Sequence, residues 1–165
     1  PPWGATAASP HGGKGARSWE ARRILVPVKG ERVDEEALRL AGDVARHNKG
    51  VVYALHVIEV DRTLPLDAQV DSAVERGEEV LRRMEEIARQ SKYPVETEVL
   101  QAREAGPAVV EEAREREVDL VVMGVGYKLH FGEFSLGHAV PYILKNSPCT
   151  VWLCREGIPG QEQQT

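Results

Sequence analysis

Between residues 20 and 156 the chain alternates between short apolar runs and longer stretches in which apolar residues recur every three or four positions. "RRILVPV" (22–28) is a compact apolar run rich in β-branched residues and predicts a first strand. In "DEEALRLAGDVARHNKG" the residues Ala37, Leu40, Ala41, Val44 and Ala45 share one helical face, with Asp34 as the expected N-cap and Gly50 as the expected C-terminal stop. "VVYALHVIEV" (51–60) predicts a second strand, and "DRTLPLD" a loop ending on a further expected N-cap, Asp67. Val70, Ala73, Val74, Gly77, Leu81, Met84, Ile87 and Ala88 then mark the longest helix. "PVETEVLQ" alternates as a third strand, and "GPAVVEEARER" opens a helix with Pro107 in its first turn. "VDLVVMG" (118–124) is the fourth strand. A loop to residue 135, a helix to residue 145 and a fifth strand in "CTVWLCRE" (149–156) complete the pattern.

Strands separated by helices imply right-handed crossovers and a mainly parallel, open five-stranded sheet with helices on both faces. The runs at 24–28 and 118–123 are apolar throughout, as strands covered on both sides should be. Ligands of such sheets lie at the carboxyl ends of the strands where strand order reverses, so the segments Lys29–Val33 and Gly124–Gly137 are expected to flank a crevice.

The expected organisation is a Gly-, Pro- and Ala-rich leader or linker over 1–19, one α/β domain over 20–156, and a loose tail over 157–165. The net charge of -5 and pI near 5.6 argue against a nucleic-acid partner, which needs a basic surface. No apolar run is long enough for a membrane span or shaped like a signal peptide, so direct membrane insertion is not expected and the expected setting is cytoplasmic. Cys149 and Cys154 lie on one strand, pointing to opposite faces about 16 Å apart. That is too far for a mutual disulfide.

"ILVPVKGERVDEEALRLA", "ALHVIEV", "AGPAVVEEAREREVDLVVMG" and "SLGHAVPYILKNSPCTVWLC" resemble, in order and spacing, the universal stress protein family. The resemblance implies strand order 3-2-1-4-5 in a Rossmann-like, adenine nucleotide alpha-hydrolase-like fold. It also implies a homodimer, here through strand 149–154, and in many members ATP or another adenine nucleotide bound without rapid turnover. Magnesium accompanying a nucleotide is the only metal expected. Some members are modules appended to transporters, and a start without methionine after a linker-like leader suits fusion to, or association with, one.

The resemblance places the cofactor-binding residues at Pro27, Lys29, Val57, Gly124, Gly126, Tyr127, Gly137, His138 and Ala139. Nucleotide-binding members carry a glycine, two residues, a second glycine, nine residues, then glycine and Ser or Thr. Anchored on Gly137, the first glycine falls on Gly124, the second on Tyr127, and the hydroxyl residue on His138. The acid that receives ribose hydroxyls in the family falls on Lys29. An ammonium donates only and cannot accept those hydroxyl protons. Tyr127 is expected to bring a ring into the space where glycine would let backbone amides approach phosphate. The amides of Gly137 to Ala139, at a helix N-terminus, are expected to remain an anion site.

No catalytic spacing stands out: there is no HExxH, GxSxG or CxxC, and His56 lies within a strand, where a structural role is expected. His130, His138 and Glu133 share a loop region but make no ligand set. The expected function is a non-enzymatic regulatory or binding module that takes an adenine nucleotide or another anionic ligand, with altered or weak ATP affinity. The alternative is a dimeric interaction module that binds no nucleotide.

Overall fold

The computed structural model describes residues 17–158 apart from 128, 131 and 132, with only the backbone described at 18, 129, 130, 133 and 134. Most of the expected leader and tail therefore lies outside the described residues. The described part of the leader makes a short helical turn, Ser18–Glu20, and the Asn48 side chain donates to the carbonyls of Trp19 (2.6 Å) and Ala21 (3.1 Å). The expected boundary at residue 20 falls at the end of this exposed turn.

The chain runs β1 (Arg23–Pro27), α1 (Arg32–Asn48), β2 (Val51–Glu59), α2 (Asp71–Ser91), β3 (Val95–Ala102), α3 (Ala105–Glu115), β4 (Leu120–Val125), β5 (Leu129–His130), β6 (Glu133–Phe134), α4 (Ala139–Asn146) and β7 (Thr150–Arg155). The main sheet has order β3-β2-β1-β4-β7 with every pairing parallel, which is the expected 3-2-1-4-5 arrangement. The segment expected to be loop up to residue 135 instead contains an antiparallel hairpin, Leu129 opposite Phe134 and His130 opposite Glu133. Two-residue strands are too short to leave a periodic signal.

Alternate side chains of the central strands feed two cores. Ile24, Val26 and Val28 join Ala37, Leu38, Ala41, Leu81, Met84 and Ile87 on one face. Leu25, Leu55, Val121 and Met123 join Val109, Val110, Val140 and Ile143 on the other. Each fully buried Leu or Ile contributes about 1.5–3 kcal/mol relative to exposure. Cys154 packs against the first core and Cys149 against the second, so the two thiols do face opposite ways. Burial pushes both thiols up, away from the reactive thiolate form.

The helix ends differ from the sequence pattern in informative ways. α1 begins two residues before Asp34, with Glu31 as N-cap and Asp34 at the third helical position of a reciprocal capping box. Its inward stripe uses Val33 and Leu38, while Leu40 is 37% exposed. The left-handed residue closing α1 is Lys49, not Gly50. Gly50 is needed for space instead, since a Cβ there would stand 2.3 Å from the Arg22 carbonyl oxygen. α2 starts after Val70, not after Asp67. Gln101 of β3 and Arg103 just after it explain the delay. Arg103 donates to the carbonyls of Asp61 (2.7 Å) and Leu64 (2.8 Å), Gln101 to that of Ala68 (2.7 Å), and these bonds tie the turns of the β2–α2 loop to the end of β3.

Candidate functional site

β1, β2 and β4 end side by side, and α1, α2 and α4 begin around them. The space they leave is a cavity of about 630 Å³, large enough for a nucleotide-sized ligand. Its walls come from Pro27, Val28 and Lys29 after β1, from Leu55 to Glu59 of β2, and from Met123 and Gly124 of β4. Asp34 of α1, Ser72, Ala73 and Arg76 of α2, Ala105 and Val109 of α3, and Ala139, Val140 and Ile143 of α4 close it.

Of the sequence-predicted residues, Pro27, Lys29, Val57, Gly124 and Ala139 line this cavity, whereas Gly126, Tyr127, Gly137 and His138 do not. Pro27 closes β1, where the missing N–H of proline leaves no gap within the strand. Gly124 serves packing: a Cβ there would lie 2.7 Å from the Val33 carbonyl oxygen, so only glycine lets the first turn of α1 rest on β4. Tyr127 turns away from the expected phosphate space. Its ring lies 5.6 Å from the Arg155 guanidinium, and its amide donates to Glu156 Oε1 at 2.8 Å. Gly137 adopts φ +68°, and its amide donates to the Ser135 hydroxyl at 3.2 Å. His138 is the exposed N-cap of α4 and makes no side-chain cap bond. The side chains of His130 and Glu133 lie outside the described residues. Among the described residues no group of three His, Cys, Asp or Glu is arranged to hold a metal, and no helix is long and apolar enough to cross a membrane.

Five polar cavity residues escaped the sequence reading: Asp34 as a wall residue, His56, Glu59, Ser72 and Arg76. Asp34 is only 2% exposed. Its Oδ2 accepts the amides of Lys29 (2.8 Å), Gly30 (2.7 Å) and Glu31 (2.9 Å), which folds the β1–α1 loop around it. Burial pushes the carboxyl above its ordinary value despite those three donors. His56 Nδ1 lies 2.9 Å from the Val28 carbonyl, which can only accept, so Nδ1 carries the proton and Nε2 keeps the lone pair when the ring is neutral. Ser72 and Arg76 are four apart on the first turns of α2 and face the cavity together. That spacing is visible in the sequence. The loop that fixes the helix start, and therefore which face looks inward, is not.

Lys29 and Arg76 are both exposed at the rim. Neither forms an ion pair among the described residues. Two cations unpaired among the described residues, at the rim of a cavity whose mainly apolar wall also holds the carboxylates of Asp34 and Glu59, can meet an anionic group joined to a flat, apolar body.

Comparison with known proteins agrees with this architecture. The Universal stress protein family profile matches residues 20–155. A universal stress protein of Methanothermobacter thermautotrophicus is 32% identical over 143 residues, covering 81% of this chain and 95% of its own. One from Methanocaldococcus jannaschii is 28% identical over 141 residues, covering 82% of each. Among solved structures, the universal stress protein from Archaeoglobus fulgidus in complex with dAMP superposes with TM-score 0.64 at 21% identity, over 80% of this chain and 96% of that one. The Arabidopsis thaliana family protein with AMP bound gives TM-score 0.63 at 14% identity, over 87% and 96%. With this fold, this cavity and a profile match across nearly all the described residues, the chain belongs to the universal stress protein family.

Proposed function

We propose that this chain is a regulatory binding module that takes an adenine mononucleotide in the cavity at the ends of β1, β2 and β4, and that it binds ATP more weakly. The observation that carries the reading is the pair of unpaired rim cations, Lys29 and Arg76, over a nucleotide-sized cavity. The dAMP and AMP complexes of the two structural relatives support the ligand class.

Preference for one phosphate over three follows from the far side of the site. The amide of Tyr127, just past β4, is already engaged by the Glu156 carboxylate, and a polyphosphate reaching it would set like charges together. Among the described residues no acidic group is arranged to hold magnesium for phosphoryl transfer, which favours binding over turnover.

The test is thermal unfolding with AMP, ATP, cyclic AMP and GMP in turn. A ligand at a hundredfold excess over its Kd adds about 2.7 kcal/mol of stability. AMP should raise the melting temperature more than ATP at equal concentration. A melting temperature unmoved by every nucleotide supports the second reading, a dimeric interaction module without nucleotide. That reading is favoured by the open edge of β7, where Leu153 is 39% exposed.

A further inference from the structure

Asp34 presents an asymmetry that the loop contacts do not explain. All three of its hydrogen bonds fall on Oδ2. Oδ1 receives none among the described residues, yet no buried side-chain oxygen among them is left both sealed and unpartnered. Since Asp34 is 2% exposed and lines the cavity, Oδ1 is reached from the cavity side. A carboxylate oxygen held in a largely apolar wall without a donor is costly, and such groups in folded proteins call for a partner.

We infer that Oδ1 of Asp34 is the acceptor for a ribose hydroxyl of the bound nucleotide, and so sets the preference for ribo- over deoxyribonucleotides. This rests on the nucleotide reading of the cavity. The partner within a nucleotide is a neutral O–H or N–H donor, because a nucleoside monophosphate carries no cationic donor at neutral pH. Within a nucleotide those donors are the ribose hydroxyls and the exocyclic amine of adenine. Position selects between them. Asp34 holds the amide of Lys29 at 2.8 Å, so the carboxylate adjoins the residue whose ammonium serves the phosphate. The sugar, not the base, is the part of a nucleotide bonded directly to phosphate.

Asp34→Asn separates the two jobs of the side chain. The three loop amides will face the carboxamide oxygen, which keeps the loop closed, and the cavity side then carries an NH2 donor in place of an acceptor. Calorimetric titration of parent and Asp34→Asn with AMP, 2′-deoxy-AMP and 3′-deoxy-AMP reads the result. The parent should bind AMP roughly tenfold or more tightly than at least one deoxy analogue, the size expected for a hydrogen bond to a charged acceptor. In Asp34→Asn the carboxamide NH2 can still donate to the hydroxyl oxygen in a neutral bond, so the discrimination should shrink to about a few-fold rather than vanish. Equal affinities of the parent for all three overturn the inference, and that comparison needs no variant. The same discrimination persisting in Asp34→Asn also overturns it. In both cases the nucleotide reading stands; a parent that binds none of the three overturns the nucleotide reading and this inference with it.

Discussion

A Cβ placed on Gly77 would stand 2.8 Å from Cδ2 of His56 and 3.3 Å from its Nε2, so α2 lies directly on the imidazole. The ring in turn is fixed from below by the Val28 carbonyl. Alanine is the better helix former by about 1 kcal/mol. Overpacking against a held ring costs about 1–3 kcal/mol. Gly77→Ala should therefore lower the melting temperature despite its propensity gain, by about 2–4 °C per kcal/mol for a domain of this size. Combining it with His56→Ala should give a double variant more stable than the sum of the two single losses. Strict additivity would mean that ring and helix are not in the contact described.

Two glycines from the expected phosphate motif should fail for different reasons. Gly124→Ala presses on the Val33 backbone, which cannot rotate away as a side chain can, and should cost on the order of 3 kcal/mol or abolish soluble expression. Gly137 has nothing within 4 Å of a Cβ but sits at φ +68°. Gly137→Ala should cost only about 1–2 kcal/mol, the strain of a left-handed alanine. Denaturant unfolding of both ranks them, and a reversed order would contradict the packing assigned to Gly124.

Asp34 gives stability a definite pH signature. Its folded-state pKa is raised above 3.8, with burial the largest cause. In the window between 3.8 and the folded value the native state holds more protons than the unfolded chain, so this residue's contribution falls as pH rises. The stability of the parent relative to Asp34→Asn should decline on raising pH through that window and then level off. A difference that grows with pH would mean that the three amides outweigh burial.

Among the described residues β7 pairs only with β4, leaving its other edge open, and Leu153 on that strand is 39% exposed. A long apolar edge of this kind favours pairing with a second copy. Light scattering should show a dimer at micromolar concentration, and Leu153→Pro, which removes an N–H facing away from β4, should shift it toward monomer. A parent that is monomeric throughout would remove this role for the edge.

The sheet was legible in the sequence because its cause is local: apolar runs between helical stretches can pack only as buried parallel strands. Helix starts were less so. Asp34 and Asp67 are good caps by type, but Glu31 and Val70 hold those places because the β1–α1 loop wraps the Asp34 carboxylate and side chains at the end of β3 hold the β2–α2 loop. Leu40 matched the helical period, yet starting the helix at Arg32 and packing it on β1 and β4 turns Leu38 inward instead. The strand ends identified Pro27, Lys29, Val57 and Gly124. Tyr127 was assigned to the cavity by spacing alone, and the pairing of its ring with Arg155 depends on β7 lying beside β4.

The most direct test of the account is calorimetric titration of AMP into the parent and into Lys29→Ala/Arg76→Ala. The account predicts saturable one-site binding to the parent and a loss of about tenfold or more in the double variant, since two charge-assisted contacts to phosphate are removed. Absence of binding to the parent, or equal affinity in the two proteins, would contradict it.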